Sequence, residues 1–274
     1  MKRVLAIQSL SVVGRSGLAV MAPVLSSMGC QCCPLPTMVL SAHTGFPSPE
    51  KVDISRYILD FFPYYQRQAI RFDAVILSYL PDPGMVPALG AALPRLGSLR
   101  IFDPVLGDHG KFYSGMGQGH AAAWRALCRD ADILLPNLTE AAALTGLPYR
   151  ECGDMEYLRT LAQGLRALGA KQVFLTGVPW EEGVTGFFFR NGEGEFVHRQ
   201  RRISPSLHGT GDLFTAAVAG GVLRGLGAAQ AGVLAAAFVA KCLEKTPQAT
   251  LFGVEFEKIL PWLAENAGES KKSS

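Results

Sequence analysis

Residues 208–221 read HGTGDLFTAAVAGG. Two glycines bracket a threonine, an aspartate follows, and a run of small apolar residues begins at once. Such a passage is a turn feeding a helix. Gly209 and Gly211 allow the backbone positive φ angles and leave N–H groups bare. The start of the helix adds a partial positive charge. Gly209, Thr210 and Gly211 are therefore a candidate anion hole, although a plain helix-capping turn would use the same residues. Asp212 decides between the two. A carboxylate here repels a resting phosphate, but it can orient an alcohol and take its proton while the nest carries the charge of a phosphoryl group in transfer.

Upstream of this turn, short apolar runs alternate with helix-like segments. The expected strands are RVLAIQ (3–8), CQCCPLP (30–36), AVILSY (74–79), SLRIFDP (98–104), ADILLPN (131–137) and KQVFLTG (171–177). The expected helices are 18–29, 53–71, 83–96, 119–130, 138–146 and 154–168. That alternation is the mark of a parallel sheet covered by helices on both faces. A β-hairpin follows at 185–200 around a GEG turn, then two Ala/Gly-rich helices at 212–224 and 228–243, and a last helix at 254–266. The expectation is one domain over residues 1–268, with 269–274 a disordered tail.

Ligands of such sheets bind beyond the C-terminal ends of the strands. Polar residues are expected at those ends: Ser9, Thr37, Tyr79, Asp103, Asn137 and Thr176. The segments DPVLGDHG (103–110) and PNLTEAAALTG (136–146) add Asp108 and Glu140. Read singly, Asp108 is a turn residue and Glu140 a first-turn helix charge. Asp103, Asp108 and Glu140 together next to a polyphosphate would suit Mg²⁺. His43, in SAHTGF, reads equally well as a substrate contact or as a loop histidine.

Composition excludes several classes. The 274 residues are 49% hydrophobic and 18% charged, with a net charge of +3. There is no basic stripe for nucleic acid and no apolar run of about 18 residues to span a membrane. The apolar N-terminal stretch is interrupted by Gln8, Ser9, Ser11, Arg15 and Ser16, unlike a secretory signal, so a cytoplasmic protein is expected. The six cysteines include Cys30, Cys32 and Cys33 in CQCC. Their spacing does not match a zinc site and favours strand packing. No G-x-x-x-x-G-K-[ST] loop is present. The glycine-rich GMGQGH (115–120) reads as a mobile loop.

GTGDLFTAA is similar to the signature of the ribokinase-like small-molecule kinases. LAIQSLSVVGRSG, PTMVLSAHTGF, IFDPVLGDHGKFY and ADILLPNLTEAAALTG, in that order, resemble the successive motifs of the pyridoxal kinases and cover most of the chain. The resemblance implies a three-layer α/β/α sandwich with a mostly parallel sheet. It also implies ATP-dependent phosphorylation of the 5′-hydroxymethyl group of pyridoxal, pyridoxine or pyridoxamine in vitamin B6 salvage. By motif match, Asp212 is the catalytic base and Gly209, Thr210 and Gly211 the anion hole. Ser9, His43, Thr44, Gly45 and Tyr79 fall at substrate-binding positions. Asp103, Tyr113, Asn137, Glu140 and Thr176 fall on the ATP side. Asp103, Asp108 and Glu140 surround Mg²⁺ and a monovalent cation, K⁺ or Na⁺, and family members are usually homodimers. The chain departs from the pattern at Leu10 and Arg15, where histidines are common, at Ser78-Tyr79 in place of GY, and at Leu135, where a polar residue is usual. No tryptophan follows Gly45.

The nearest alternative is a hydroxymethylpyrimidine kinase of the same fold, some of which carry cysteine at the position of Asp212. A non-catalytic vitamin-binding regulatory protein would not need the nest, the base and the acidic residues together. A dinucleotide-dependent oxidoreductase would want G-x-G-x-x-G after the first strand, where the chain has QSLSVVGRSG.

Overall fold

A computed structural model describes residues 1–203, 207–247 and 250–268. The expected tail, 269–274, lies outside the described residues. The chain opens with β1 (Lys2–Val13), α1 (Leu18–Ser27), β2 (Cys30–Ala42) and β3 (Lys51–Asp53). Next come α2 (Ser55–Ile58), α3 (Phe61–Arg67), β4 (Phe72–Leu77), α4 (Val86–Leu96) and β5 (Gly97–Phe102). A two-strand ribbon of β6 (Gly107–Asp108) and β7 (Lys111–Phe112) precedes α5 (Gln118–Leu127), β8 (Ile133–Leu134), α6 (Leu138–Thr145) and α7 (Met155–Ala167). Then follow β9 (Gln172–Glu181), β10 (Val184–Arg190) and β11 (Glu195–Arg201). The chain ends in α8 (Thr210–Leu223), α9 (Ala228–Lys245) and α10 (Leu260–Asn266).

The architecture is α/β with a large, mostly parallel central sheet. The chain divides into two compact units, residues 1–54, 72–74 and 203–274, and residues 55–71 and 75–202. In the first unit the strand order is β4-β1-β2-β3. β1 and β2 pair in parallel, and β3 is an antiparallel edge. Val4 to Ile7 are buried, and so are Ala216 to Ala219 of α8. Small side chains on α8 and α9 let the two helices approach closely. In the second unit the order is β4-β5-β8-β9-β10-β11. β5, β8 and β9 run parallel, while β10 and β11 fold back antiparallel. Phe174 of β9 packs on Phe187 and Phe189 of β10, with ring centroids 5.3 and 4.7 Å apart.

Several expectations are corrected. β1 runs on to Val13 and β2 to Ala42, because their pairing continues to Val13 opposite Ala42. Ser9 and Thr37 therefore lie within strands and not at their ends. Thr176 likewise lies inside β9, which is extended to Glu181 by its pairing with β10. The single helix expected over 53–71 is two short ones. Pro63 has no N–H to bond back to Leu59, and it sits in the first turn of α3, where that missing donor costs least. Asp53, the first residue of that span, is the last residue of β3 instead. α10 starts at Leu260 with Pro261 in its first turn, where proline is favoured. Residues 118–120 of the glycine-rich segment open α5. Cys30 is buried and Cys32 half-buried, with burial pushing the Cys32 thiol up to about 12. Strand packing fits these cysteines.

A polar cluster fixes the start of β8. Buried Asp132 accepts from the Arg100 backbone N–H at 2.8 Å, from Arg100 Nε at 3.2 Å and from Lys171 Nζ at 2.7 Å. Burial raises the carboxyl's pKa, but these donors outweigh it and hold the group below the usual carboxylate range. A group with a lowered folded pKa stabilises above its unfolded pKa and loses that contribution as pH falls. Asp132→Asn is expected to lower stability by about 1.5–3 kcal/mol near neutral pH. The gap to wild type should hold above about pH 4 and close below it. Denaturant titrations across this range measure the gap.

Candidate active site

In the first unit, Asp212 stands in the first turn of α8, after Gly209, which has φ 93°. A Cβ at Gly209 would strike the Arg15 carbonyl oxygen. Both the backbone conformation and the close approach therefore require glycine here. Gly211 is different: its φ is not positive, and a Cβ there would meet nothing within 4 Å. The expected left-handed backbone at Gly211 is corrected. Its lack of a side chain leaves open space in front of the helix start.

The Asp212 carboxylate is held from two sides. The Gly17 N–H donates to Oδ2 at 2.7 Å, and Gln8 Nε2 donates to Oδ1 at 3.1 Å. Burial pushes the carboxyl pKa up to about 6, against the opposing pull of these two donors. At neutral pH such a group is mostly ionised and close to the pH at which proton transfer is efficient. Sequence reasoning missed both partners. Gln8 left a signal: a polar residue within the buried run of β1.

His43 is buried and follows the end of β2. Its Nδ1 accepts from the Gly45 N–H at 3.0 Å, which places the ring proton on Nε2. Burial, then the neighbouring His208, holds His43 below the usual histidine range. Its ring lies 4.7 Å from that of His208 and 5.1 Å from that of Phe46, which in turn packs 5.5 Å from Phe252. This aromatic wall was not foreseen beyond His43. Thr44 is exposed and Ser9 half-buried.

In the second unit, the acidic residues meet around the loop after β5. Asn137 caps α6, with Oδ1 accepting from the Glu140 N–H at 3.0 Å, and Glu140 Oε2 accepts from the Asn137 N–H at 2.8 Å. Glu140 Oε1 accepts from the Leu106 N–H at 3.1 Å. Burial, then the charge of Asp103, raises the pKa of Glu140 well above the carboxylate range. Asp103 is buried, whereas the Asp108 side chain is 48% exposed. The Tyr113 N–H bonds the Leu106 carbonyl at 2.9 Å, and the Thr176 N–H bonds the Pro136 carbonyl at 3.0 Å. Tyr79 is half-buried just after β4. Among the described residues no three chelating side chains form a ready-made metal cluster. Asp103 and Glu140 nonetheless fit a cation, which would relieve their mutual repulsion.

Residues 69–254 match the phosphomethylpyrimidine kinase family model. A pyridoxine/pyridoxal/pyridoxamine kinase of Bordetella bronchiseptica is 33% identical over 263 residues, 90% of each chain. The chain belongs to the pyridoxal kinases of the ribokinase-like fold. It is a kinase that phosphorylates a small molecule. A pyridoxal kinase from Lactobacillus plantarum superposes with a TM-score of 0.87 at 31% identity, covering 97% of this chain and 98% of that one. A Bacteroides thetaiotaomicron protein designated a phosphomethylpyrimidine kinase, crystallised with pyridoxal, gives a TM-score of 0.91 at 30% identity, over 96% and 95% of the two chains. For this kinase, the two glycines of the α8 turn make separable demands. Gly209→Ala is expected to cost more than about 1 kcal/mol of stability. Gly211→Ala is expected to leave stability unchanged or raise it by up to about 1 kcal/mol. Thermal melts distinguish the two.

Proposed function

We propose that this kinase transfers the γ-phosphoryl group of ATP to the 5′-hydroxymethyl group of pyridoxal, pyridoxine or pyridoxamine. The observation that carries the reading is the Asp212 carboxylate, raised to about 6 and held by two neutral donors at the start of α8. Each of its oxygens keeps a lone pair for a substrate hydroxyl. Asp212 takes the hydroxyl proton as the oxygen bonds to phosphorus, and ADP leaves with the electron pair of the broken P–O bond. The N–H groups of Thr210 and Gly211, with the α8 dipole, stabilise the charge on the group in transfer. Gly209 shapes that turn.

Ser9, His43, Thr44 and Gly45 are the ring-binding residues of the first unit under this reading. Neutral His43 offers no net charge, so it can pack against a ring without attracting an anion. Tyr79 keeps the substrate role the resemblance gives it, and Asp103, Tyr113, Asn137, Glu140 and Thr176 keep theirs toward ATP. Asp103, Asp108 and Glu140 would hold Mg²⁺, in part through water because the oxygens of Glu140 are already engaged by backbone N–H groups. When bound, Mg²⁺ supplies charge neutralisation on the phosphates. The reading includes a monovalent cation, K⁺ or Na⁺, a homodimer and a cytoplasmic location. Among the described residues, no helix is long and apolar enough to cross a membrane.

The family model's description supports a second reading, phosphorylation of hydroxymethylpyrimidine. One experiment separates the two: ATP- and Mg²⁺-dependent turnover on the three vitamers and hydroxymethylpyrimidine, wild type against Asp212→Ala. Turnover is expected on the vitamers, falling about 100-fold or more in the variant. Turnover on hydroxymethylpyrimidine alone sinks the vitamer reading, and an Asp212→Ala loss within a few-fold sinks the base. The base works ionised, so kcat/KM should fall on the acidic side with a midpoint near the value of about 6 set for Asp212.

A further inference from the structure

We propose that Gln8 is the positioning residue that aims Asp212, its side-chain amide fixing which carboxylate lone pairs remain for the substrate hydroxyl. The inference rests on the reading of Asp212 as base. Gln8 is 3% exposed in the middle of β1, where an apolar side chain would cost less. Its orientation is determined by its neighbours. The Ser9 backbone N–H can only donate, and it meets Gln8 Oε1 at 2.8 Å. The amide nitrogen is thereby turned toward Asp212 Oδ1, at 3.1 Å. A reversed amide would set oxygen against carboxylate and nitrogen against N–H, losing both bonds.

The strand is built to release the Ser9 N–H for this purpose. The β1–β2 register shifts between Gln8 and Leu10: Gln8 faces Pro36 while Leu10 faces Val39. Thr37 and Met38 thus stand across from Ser9 alone, and the regular ladder is broken at that point. On the other side, the Gly17 N–H holds Oδ2 at 2.7 Å. Among the described residues, the two groups that bond the carboxylate, Gln8 Nε2 and the Gly17 N–H, are neutral donors that cannot accept. A proton arriving on Asp212 cannot be shared with either of them, so it must lie on the face left for the hydroxyl.

The test is steady-state kinetics with ATP, Mg²⁺ and pyridoxal from about pH 5 to pH 9 for wild type, Gln8→Met, Gln8→Glu and Asp212→Ala. Gln8→Met keeps the shape and removes both amide groups. Its kcat is expected to fall about 10–100-fold, with KM for both substrates within about twofold. Its acidic limb should move to higher pH, because a donor to the ionised form is gone. A merely structural role would not move that limb. Wild-type kcat and limb in a folded Gln8→Met overturn the proposal. Where Gln8→Met fails to fold, Gln8→Glu carries the test. It keeps an acceptor for the Ser9 N–H and sets a second carboxyl against Asp212, so the limb should move up further. A limb unmoved in Gln8→Glu is equally fatal. If Asp212→Ala retains turnover within a few-fold, the base reading itself fails. If Asp212→Ala is inactive while the Gln8 variants match wild type, only the positioning role falls.

Discussion

Two hydrogen bonds to one carboxylate tie the first unit together. They join Asp212 to Gln8 and to Gly17, partners 204 and 195 positions away in sequence. The pair of bonds can form only where β1, the turn before α1 and the start of α8 have come together. The backbone around them is correspondingly tight. The Arg15 N–H bonds the Phe252 carbonyl at 2.9 Å, and the Val254 N–H bonds the His208 carbonyl at 3.1 Å. The Gly209 Cα faces the Arg15 carbonyl with no room for a side chain. Three turns that lie far apart in the chain thus brace one another. A partly buried carboxylate at the centre would be costly if left unpaired. The bracing gives the carboxylate a fixed direction, while burial, opposed by the two donors, raises its pKa to about 6.

The second unit solves a related problem differently. Glu140 is buried, and both of its oxygens are met by backbone N–H groups, one from its own capping box and one from Leu106. Asn137 extends the cap by donating Nδ2 to the Gly107 carbonyl at 2.8 Å. The loop after β5 is therefore pinned to the start of α6 by Asn137 and Glu140. The structural reading of Glu140 and the functional one are not rivals. The cap holds the carboxylate in place, while burial and then the charge of Asp103 raise its pKa.

Much of this was legible in the sequence, for identifiable reasons. Alternating apolar runs and helical periods mark a parallel α/β sheet because each strand must be covered on both faces. GTGD is legible because a glycine turn, a helix start and a carboxylate have few joint uses. What escaped depends on pairing that local pattern cannot see. β1 and β2 outrun their apolar runs because each continues to be paired. β3 exists because Val52 and its neighbours find β2. The strand-end rule misplaced Ser9, Thr37 and Thr176 for the same reason. Gly209 and Gly211 look alike in sequence, yet one is required by its φ and the Arg15 carbonyl, while the other has room for a Cβ. Gln8 was visible as a buried polar residue, but its partner lies at the far end of the chain.

The departures from the family pattern become intelligible on the same grounds. Arg15 stands where a histidine is common, yet what it gives the site is its backbone: an N–H to Phe252 and a carbonyl under Gly209. Its side chain turns away to Glu257, at 2.7 Å. Leu10 bridges Gly17 and pairs with Val39 through backbone alone. Leu135 is buried and donates its N–H to the Phe102 carbonyl at 2.8 Å. At each of these positions the main chain supplies a bond that does not depend on the identity of the side chain. Asp212, Gln8, Asn137 and Glu140 differ from them in that their side chains carry the hydrogen bonds that hold these turns.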